Sequence, residues 1–316
     1  MLILAGDIGG TNTRLSLHDD SKKVIQSEVF PSGDYSSLSD ILRKFLKEKV
    51  SKACFGIAGP IKNNICKATN LPWEIDGNKV GKELGIEKVF LINDLLANAY
   101  GIRALKEDEF FVLNAGKPQE GNAVLVSAGT GLGEAGLFWN GKEHIPFPSE
   151  GGHADFSPRT KEEVDLFLYL MKEYGHVSYE RLVSGPGIYN IYRFLVESLG
   201  KKGFEEKIEE ELLPKAITKA GLEGGVESAV LALEWFISLY GAEAGNVALK
   251  FLALSGVYIG GGIAPKMIEK MKDGTFMKAF VEKGRFKELM QDIPVKIILN
   301  DQAALLGALE FALLKD

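Results

Sequence analysis

Apolar and polar positions alternate from the start of the chain, so that Leu2 to Ala5, Thr13 to Leu17 and Val24 to Phe30 read as strands joined by tight polar turns. The period then changes. Apolar residues recur at helical spacing over Leu38 to Val50, while the solidly apolar runs Ala53 to Ile57 and Val89 to Ile92 read as buried parallel strands, the second leading into a helix over Leu95 to Arg103. The pattern restarts at Val124 to Val126, passes a Gly/Thr turn into a strand at Ala135 to Trp139, and meets the hairpin signal Asn140-Gly141. This is a weak internal repeat. Helices follow over Lys161 to Tyr174, Pro186 to Leu199 and Val226 to Leu252, then strands at Gly256 to Ile259 and Val295 to Leu299, and a last helix from Gln302 to Leu314. The chain has 316 residues, enough for two cores. The expected architecture is α/β, with a small domain over 1–105 plus 300–316 and a large one over 106–299. The chain crosses near Arg103 to Asp108 and returns so that its final helix packs on the first domain.

Composition narrows the function. With 46% hydrophobic and 25% charged residues the chain is neither disordered nor fibrous. Lys plus Arg (37) against Asp plus Glu (43) leaves a net charge of −6, and no positive field gathers nucleic acid. The most apolar long stretch, from Val226 to Leu254, carries Glu234, Glu243 and Lys250, so no membrane span is expected. Met1 to Ala5 has no basic flank and reaches Gly6-Asp7 too early for a signal peptide, and Cys54 and Cys66 suit neither a disulfide framework nor zinc. A cytoplasmic protein is expected. Cys54 reads as a core residue, and the alternating charges of Lys201 to Glu211 read as a solvated helix face.

Glycine is the unusual component, and it is clustered: Gly6-Asp7-Ile8-Gly9-Gly10-Thr11, Ala128-Gly129-Thr130-Gly131-Leu132-Gly133 and Gly260-Gly261-Gly262, each after an apolar run. Gly131 to Gly136 spells the dinucleotide fingerprint, but strand-like residues follow where a helix is required. No Gly-Lys pair precedes Ser or Thr, so a Walker loop is absent. Two Gly/Thr hairpins suit a triphosphate better, because their backbone N–H groups can face phosphate without a Cβ in the way. Asp7, at the end of the first strand, could then hold Mg²⁺ through water. The plainer alternative is that each loop is only a tight turn.

Further along, Gly56-Ile57-Ala58-Gly59-Pro60, Thr69-Asn70-Leu71-Pro72-Trp73, Leu91-Ile92-Asn93-Asp94, Ser149-Glu150-Gly151-Gly152-His153 and Ser184-Gly185-Pro186-Gly187 join the first cluster in a fixed order. Together these motifs resemble those of the bacterial glucokinase family, from the first residue to about Gly307. The resemblance implies two related actin-like (ribonuclease H-like) domains with a cleft between them, a homodimer, and transfer of the γ-phosphoryl of ATP to the 6-hydroxyl of glucose with Mg²⁺. Matched by motif, Asn93, Asp94, Glu150, His153 and Glu180 would contact the sugar, with Asp94 as base. Gly9, Gly10 and Thr11 would form one phosphate loop and Gly129, Thr130 and Gly131 the other, with Gly6, Asp7 and Asn12 also binding the cofactor and Gly260, Gly261 and Gly262 on the nucleoside side.

The residues themselves agree with that chemistry. A carboxylate at a strand end, such as Asp94, can accept the hydroxyl proton in phosphoryl transfer, although it could equally cap the helix it precedes. Asn300-Asp301 repeats the Asn93-Asp94 signal before the last helix, where Asp301 could cap the helix and is expected to serve in structure or in nucleotide-side contacts. Glu150 and His153 flank two glycines and can both turn to a polyol, with a zinc or purely structural histidine as the competing readings. Trp73 could close a sugar site or fill a core. Other readings are a kinase for another hexose, a donor such as polyphosphate or ADP, a phosphohydrolase, and a silent sugar sensor.

Overall fold

The computed structural model describes residues 1–209 and 212–315, which group into two compact units. The first comprises 1–109, 145–148 and 300–316, and the second comprises 110–144 and 149–299.

The first unit runs β1 (Ile3–Ile8), β2 (Asn12–His18), β3 (Val24–Pro31), α1 (Leu38–Phe45), β4 (Lys52–Ile57), β5 (Ile61–Lys62), β6 (Ile65–Lys67), β7 (Glu74–Asp76), α2 (Gly77–Leu84), β8 (Lys88–Asn93) and α3 (Asp94–Gly101). Its main sheet has the order β3-β2-β1-β4-β8, antiparallel through the hairpins and parallel from β1 onward. Both faces are covered. On one side Leu15, Phe30 and Phe55 meet Leu38, Ile41, Leu42 and Phe45 of α1, the i, i+3, i+4, i+7 stripe that makes this helix amphipathic. Ser37 starts α1 by accepting the Asp40 N–H at 3.3 Å. On the other side Ile3, Ala5, Cys54 and Ile92 pack against Ala97 and the alanines and leucines of the chain's last helix, Ala303–Leu314.

The second unit contains β9 (Phe110–Asn114), β10 (Ala123–Ala128), β11 (Leu132–Trp139), the two end residues of β12 (His144–Ser149), whose residues 145–148 group with the first unit, α4 (Lys161–Tyr174), α5 (Gly185–Glu197), α6 (Leu213–Glu223), α7 (Glu227–Phe251), β13 (Gly256–Gly260), α8 (Ile268–Met271), α9 (Thr275–Val281), α10 (Lys287–Asp292) and β14 (Val295–Ile298); the last helix is α11. Its sheet order is β12-β11-β10-β13-β14-β9. The repeat seen in the sequence is therefore a repeat of topology: β2-β1-β4-β8 corresponds to β11-β10-β13-β14, with the same antiparallel hairpin followed by parallel strands. The apolar α7, 25 residues long, lies in the core with Phe236 and Tyr240 fully buried.

Several elements differ from the sequence expectations. The helix expected to Val50 stops at Phe45, because Leu46 turns extended and the chain must run straight to bury Val50 ahead of β4. No helix forms over 201–209, so the alternating charges there solvate an irregular segment; 210 and 211 lie outside the described residues. Strand β1 continues through Gly6 and Asp7, so that both belong to the sheet and only Gly9 to Thr11 form the turn. Among the described residues no helix is long and apolar enough to cross a membrane.

Candidate active site

In the first unit the site grows from the carboxyl end of the sheet. The β1–β2 hairpin closes on Gly9, whose N–H donates to Asn12 O at 2.9 Å. It is fastened from below by Ser32, whose hydroxyl donates to Gly9 O at 2.7 Å and pairs with Thr13 Oγ1 at 3.0 Å. Asn70 lies against Gly10, and the Thr69 N–H donates to Ala58 O at 3.0 Å, which brings the Gly56 to Pro60 and Thr69 to Trp73 motifs to the same hairpin.

Register explains the charges. Asp7 stands opposite Arg14 in the hairpin, and Arg14 donates to Asp301 twice, through Nη1 to the backbone oxygen at 2.7 Å and through Nη2 to Oδ2 at 2.9 Å. Burial, opposed by the Arg14 charge and reinforced by Asp94 and Asp301, pushes the Asp7 carboxyl up to about 6. Three aspartates and one arginine thus share this corner, and the residue the sequence reading missed is Arg14. Hairpin counting could have found it, since a turn at Gly9 to Thr11 places position 14 across from position 7.

The expected helix cap belongs to Asn93 and not to Asp94. Asn93 Oδ1 accepts the N–H groups of Leu95 and Leu96 at 3.0 and 3.3 Å, and Asp94 is the first residue of α3, its Oδ1 accepting the Leu95 N–H at 2.9 Å. With its carbonyl committed, Asn93 has an amide NH₂ to offer a ligand. Asp301 is no cap either. Asn300 accepts the Gln302 N–H at 2.8 Å, and Asp301 holds Arg14. Trp73 is buried and donates to Tyr35 O at 3.2 Å, which makes it a core residue.

In the second unit the β10–β11 turn, Gly129 to Gly131, is tied by Gly129 N–H to Gly131 O and by Gly185 N–H to Gly129 O, both at 2.8 Å. The second bond joins it to the start of α5, where Ser184 caps by accepting the Gly187 N–H at 3.0 Å. The third glycine cluster meets the same turn: Gly261, at φ 81°, lies directly over Ala128 O, too close for any Cβ. Tyr240 fixes this layer, its hydroxyl accepting from Ala128 N and donating to Val126 O at 3.0 Å.

Beside this turn lies the second cluster. Glu180 Oε2 accepts the Leu132 N–H at 2.9 Å, and Glu180 Oε1 lies 3.8 Å from His153 Nδ1. Glu150 and His153 are exposed at the two ends of a short 3₁₀ turn, closed by the His153 N–H donating to Glu150 O at 3.0 Å. Of the predicted residues the structure therefore brings Gly131, His153 and Glu180 together in one unit, and Asp7 and Asp94 in the other.

Oxygen donors, excess negative charge and a desolvated carboxylate fit a hard divalent cation held by one or two carboxylates with waters. Among the described residues no three His, Cys, Asp or Glu side chains form a metal cage.

Comparison with known proteins places these features in a family setting. The profile of the family described as Glucokinase matches residues 4–315. A glucokinase from Trichormus variabilis is 43% identical over 97% of this chain and 97% of its own. Among solved structures, a glucokinase from an Antarctic psychrotroph superposes with a TM-score of 0.87 at 31% identity, covering 99% of both chains. A glucokinase from Balamuthia mandrillaris in complex with glucose shares the fold, with a TM-score of 0.80 at 23% identity, 98% of this chain and 93% of that one.

Proposed function

The chain belongs to the glucokinase family, and on that premise we propose that it transfers the γ-phosphoryl group of ATP to the 6-hydroxyl of glucose, with Asp94 as the base. The observation that carries the assignment of the base is the division of labour at β8 and α3: Asn93 satisfies the helix end, and the Asp94 carboxylate stands at the same terminus near the charged Asp7 corner. Phosphoryl transfer asks the protein for alignment, charge compensation and a proton acceptor, and little covalent work. Asp94 would take the proton of the sugar hydroxyl as its oxygen attacks phosphorus. The amide of Asn93 and the side chains of Glu150, His153 and Glu180 would orient the hydroxyls.

The turns at Gly9 to Thr11 and Gly129 to Gly131 would receive phosphates, and Gly260 to Gly262 the nucleoside. Asp7 and its neighbouring carboxylates would hold Mg²⁺, which when bound neutralises the phosphate charge that develops in transfer. Arg14, pinned by Asp301, keeps positive charge beside Asp7 and limits the repulsion among the three aspartates. The protein is read as a cytoplasmic homodimer without nucleic acid or membrane partners; sedimentation at a single chain's 34.5 kDa would remove the dimer.

The test is a hexose panel with ATP, ADP and polyphosphate as donors, followed by product analysis. Glucose with ATP should give glucose 6-phosphate and ADP. Failure of every sugar to stimulate nucleotide consumption would overturn the kinase reading.

A further inference from the structure

Behind the Glu150 to His153 turn lies a pair of buried acids that the phosphoryl-transfer chemistry does not use. Glu134 on β11 is 2% exposed and Glu243 on α7 is 0% exposed. The Oε1 atom of each is buried and accepts no hydrogen bond. Such groups are rare, because a desolvated carboxylate oxygen without a donor is costly.

Glu134 is built into the turn from two sides. Its backbone oxygen accepts from Ser149 Oγ at 3.1 Å, and that Oγ in turn accepts the Gly151 N–H at 3.1 Å. Its Oε2 occupies the space where a Cβ on residue 151 would stand, so only glycine fits there. Gly152 lies just as closely on Leu132 O. The turn that ends in Glu150 and His153 is thus laid flat on β11, with the Glu134 side chain as its floor.

The charges around the pair do not neutralise it twice. From α7, Asn246 Nδ2 donates to Glu243 Oε2 at 2.7 Å, Lys250 Nζ lies 3.7 Å from Glu243 Oε1, and the Tyr240 hydroxyl is occupied by backbone. Asn246 also donates to the Tyr179 hydroxyl at 2.9 Å, from the segment carrying Glu180. Lys283 spends its ammonium on Ala242 O and Asn246 Oδ1, at 2.8 and 2.6 Å. Lys250 and Lys283 both bear on Glu243, but burial pushes the Lys283 ammonium down to about 8, so the two acids do not face two full positive charges, and a proton between them removes the remaining negative charge. Burial first, and then the Glu243 charge, accordingly hold the Glu134 carboxyl above the ordinary carboxylate range.

We propose that Glu134 and Glu243 share one proton, and that this neutralised pair braces the Gly151-Gly152 turn from beneath and so positions Glu150 and His153 for the sugar. The inference rests on the sugar-site reading given above. Glu134 and Glu243 are positioning residues: neither touches a reacting atom, and the shared proton stays between them. The pair also gives a purpose to Glu134 within the Gly131 to Gly136 string, which fails as a dinucleotide fingerprint.

The experiment compares glucose and ATP KM values over a pH series for the wild type, Glu134→Ala, Glu134→Gln and Glu150→Gln. Glu134→Ala should raise the glucose KM roughly tenfold, the scale of a slightly misplaced binding group, with the ATP KM unchanged. Glu134→Gln, whose amide donates to Glu243 as the carboxyl O–H does, should restore wild-type KM at neutral pH. It should also abolish the rise in glucose KM expected of the wild type as alkaline pH strips the shared proton. If Glu150→Gln raises the glucose KM but Glu134→Ala leaves it unchanged, the brace is overturned and the sugar site stands. If Glu150→Gln has no effect, the sugar-site reading itself fails. Should Glu134→Ala not fold, the Glu134→Gln profile decides, and an alkaline rise equal to that of the wild type overturns the proposal.

Discussion

At the scale of single residues, two Asn-Asp pairs that look alike in the sequence are given different work by their partners. Asp94 begins α3 beside an asparagine that caps for it, whereas Asp301 holds Arg14. Asp94→Asn should therefore lower turnover by about 10²- to 10⁴-fold, the usual loss for a general base, while glucose still binds. Near-normal turnover would remove Asp94 as the base. Asp301→Asn leaves the hydrogen bond from Arg14 to the backbone oxygen in place, and its side-chain pair is solvent-exposed, so turnover should fall less than roughly tenfold.

Glu134 makes a prediction about stability as well. Its folded-state pKa lies above the ordinary 4.5, so above that pH the unfolded chain has released a proton that the native chain retains. Stability contributed by this group consequently falls with rising pH from 4.5 until the raised value is passed. Urea unfolding across that range should show a shallower decline for Glu134→Gln than for the wild type. Parallel curves would mean that the group does not titrate anomalously.

At the scale of elements, the proposed base depends on a helix crossing. α3 and α11 approach until backbone meets backbone: a Cβ on Gly307 would collide with Ala97 O, and one on Gly101 with Ala303 O. Gly307→Ala should destabilise the protein by about 1–3 kcal/mol, the usual cost of overpacking. It should also lower turnover, because α3 carries Asp94 at its first position. Thermal unfolding and hydrogen exchange over Asn93 to Gly101 would check this, and a variant with unaltered exchange there would contradict it.

Much of this scale was legible in the sequence. The strands around both glycine turns, the long apolar helix α7 and the α/β class followed from period and punctuation, because both faces of each sheet demand continuous apolar runs. What periodicity could not supply was pairing across distance. Arg14 opposite Asp7 needed the hairpin register, the role of Asn93 needed the cap geometry, and the Glu134–Glu243 pair joins residues more than a hundred positions apart. The charged stretch from Lys201 misled for a related reason: alternating signs suit a helix face but contain no apolar stripe to hold one.

At the scale of the whole molecule, the two units are assembled from the chain in different ways. The second draws on 110–144 and 149–299, while the first takes 1–109 and 145–148 and completes its second face only with α11, Ala303–Leu314. Without α11, Ile3, Ala5, Cys54 and Ile92 would lose the alanine and leucine layer that covers them. Deletion of 303–316 should expose this face, abolish slow hydrogen exchange in β1 and β4, and leave the β10, β13 and α7 peptides protected. Protection of β1 in the truncated chain would show that the last helix is dispensable.

α11 joins its unit from far along the chain, after the intervening second unit, and that separation sets an order in time. A ribosome making this chain releases Asp7 and Asp94 early, but the layer that buries the back of their sheet follows only after the second unit has been made, at roughly 5–20 residues per second. The unit that carries the proposed base therefore matures only after the second unit has been made, and a translation product that stops short of α11 carries Asp94 without the means to hold it still.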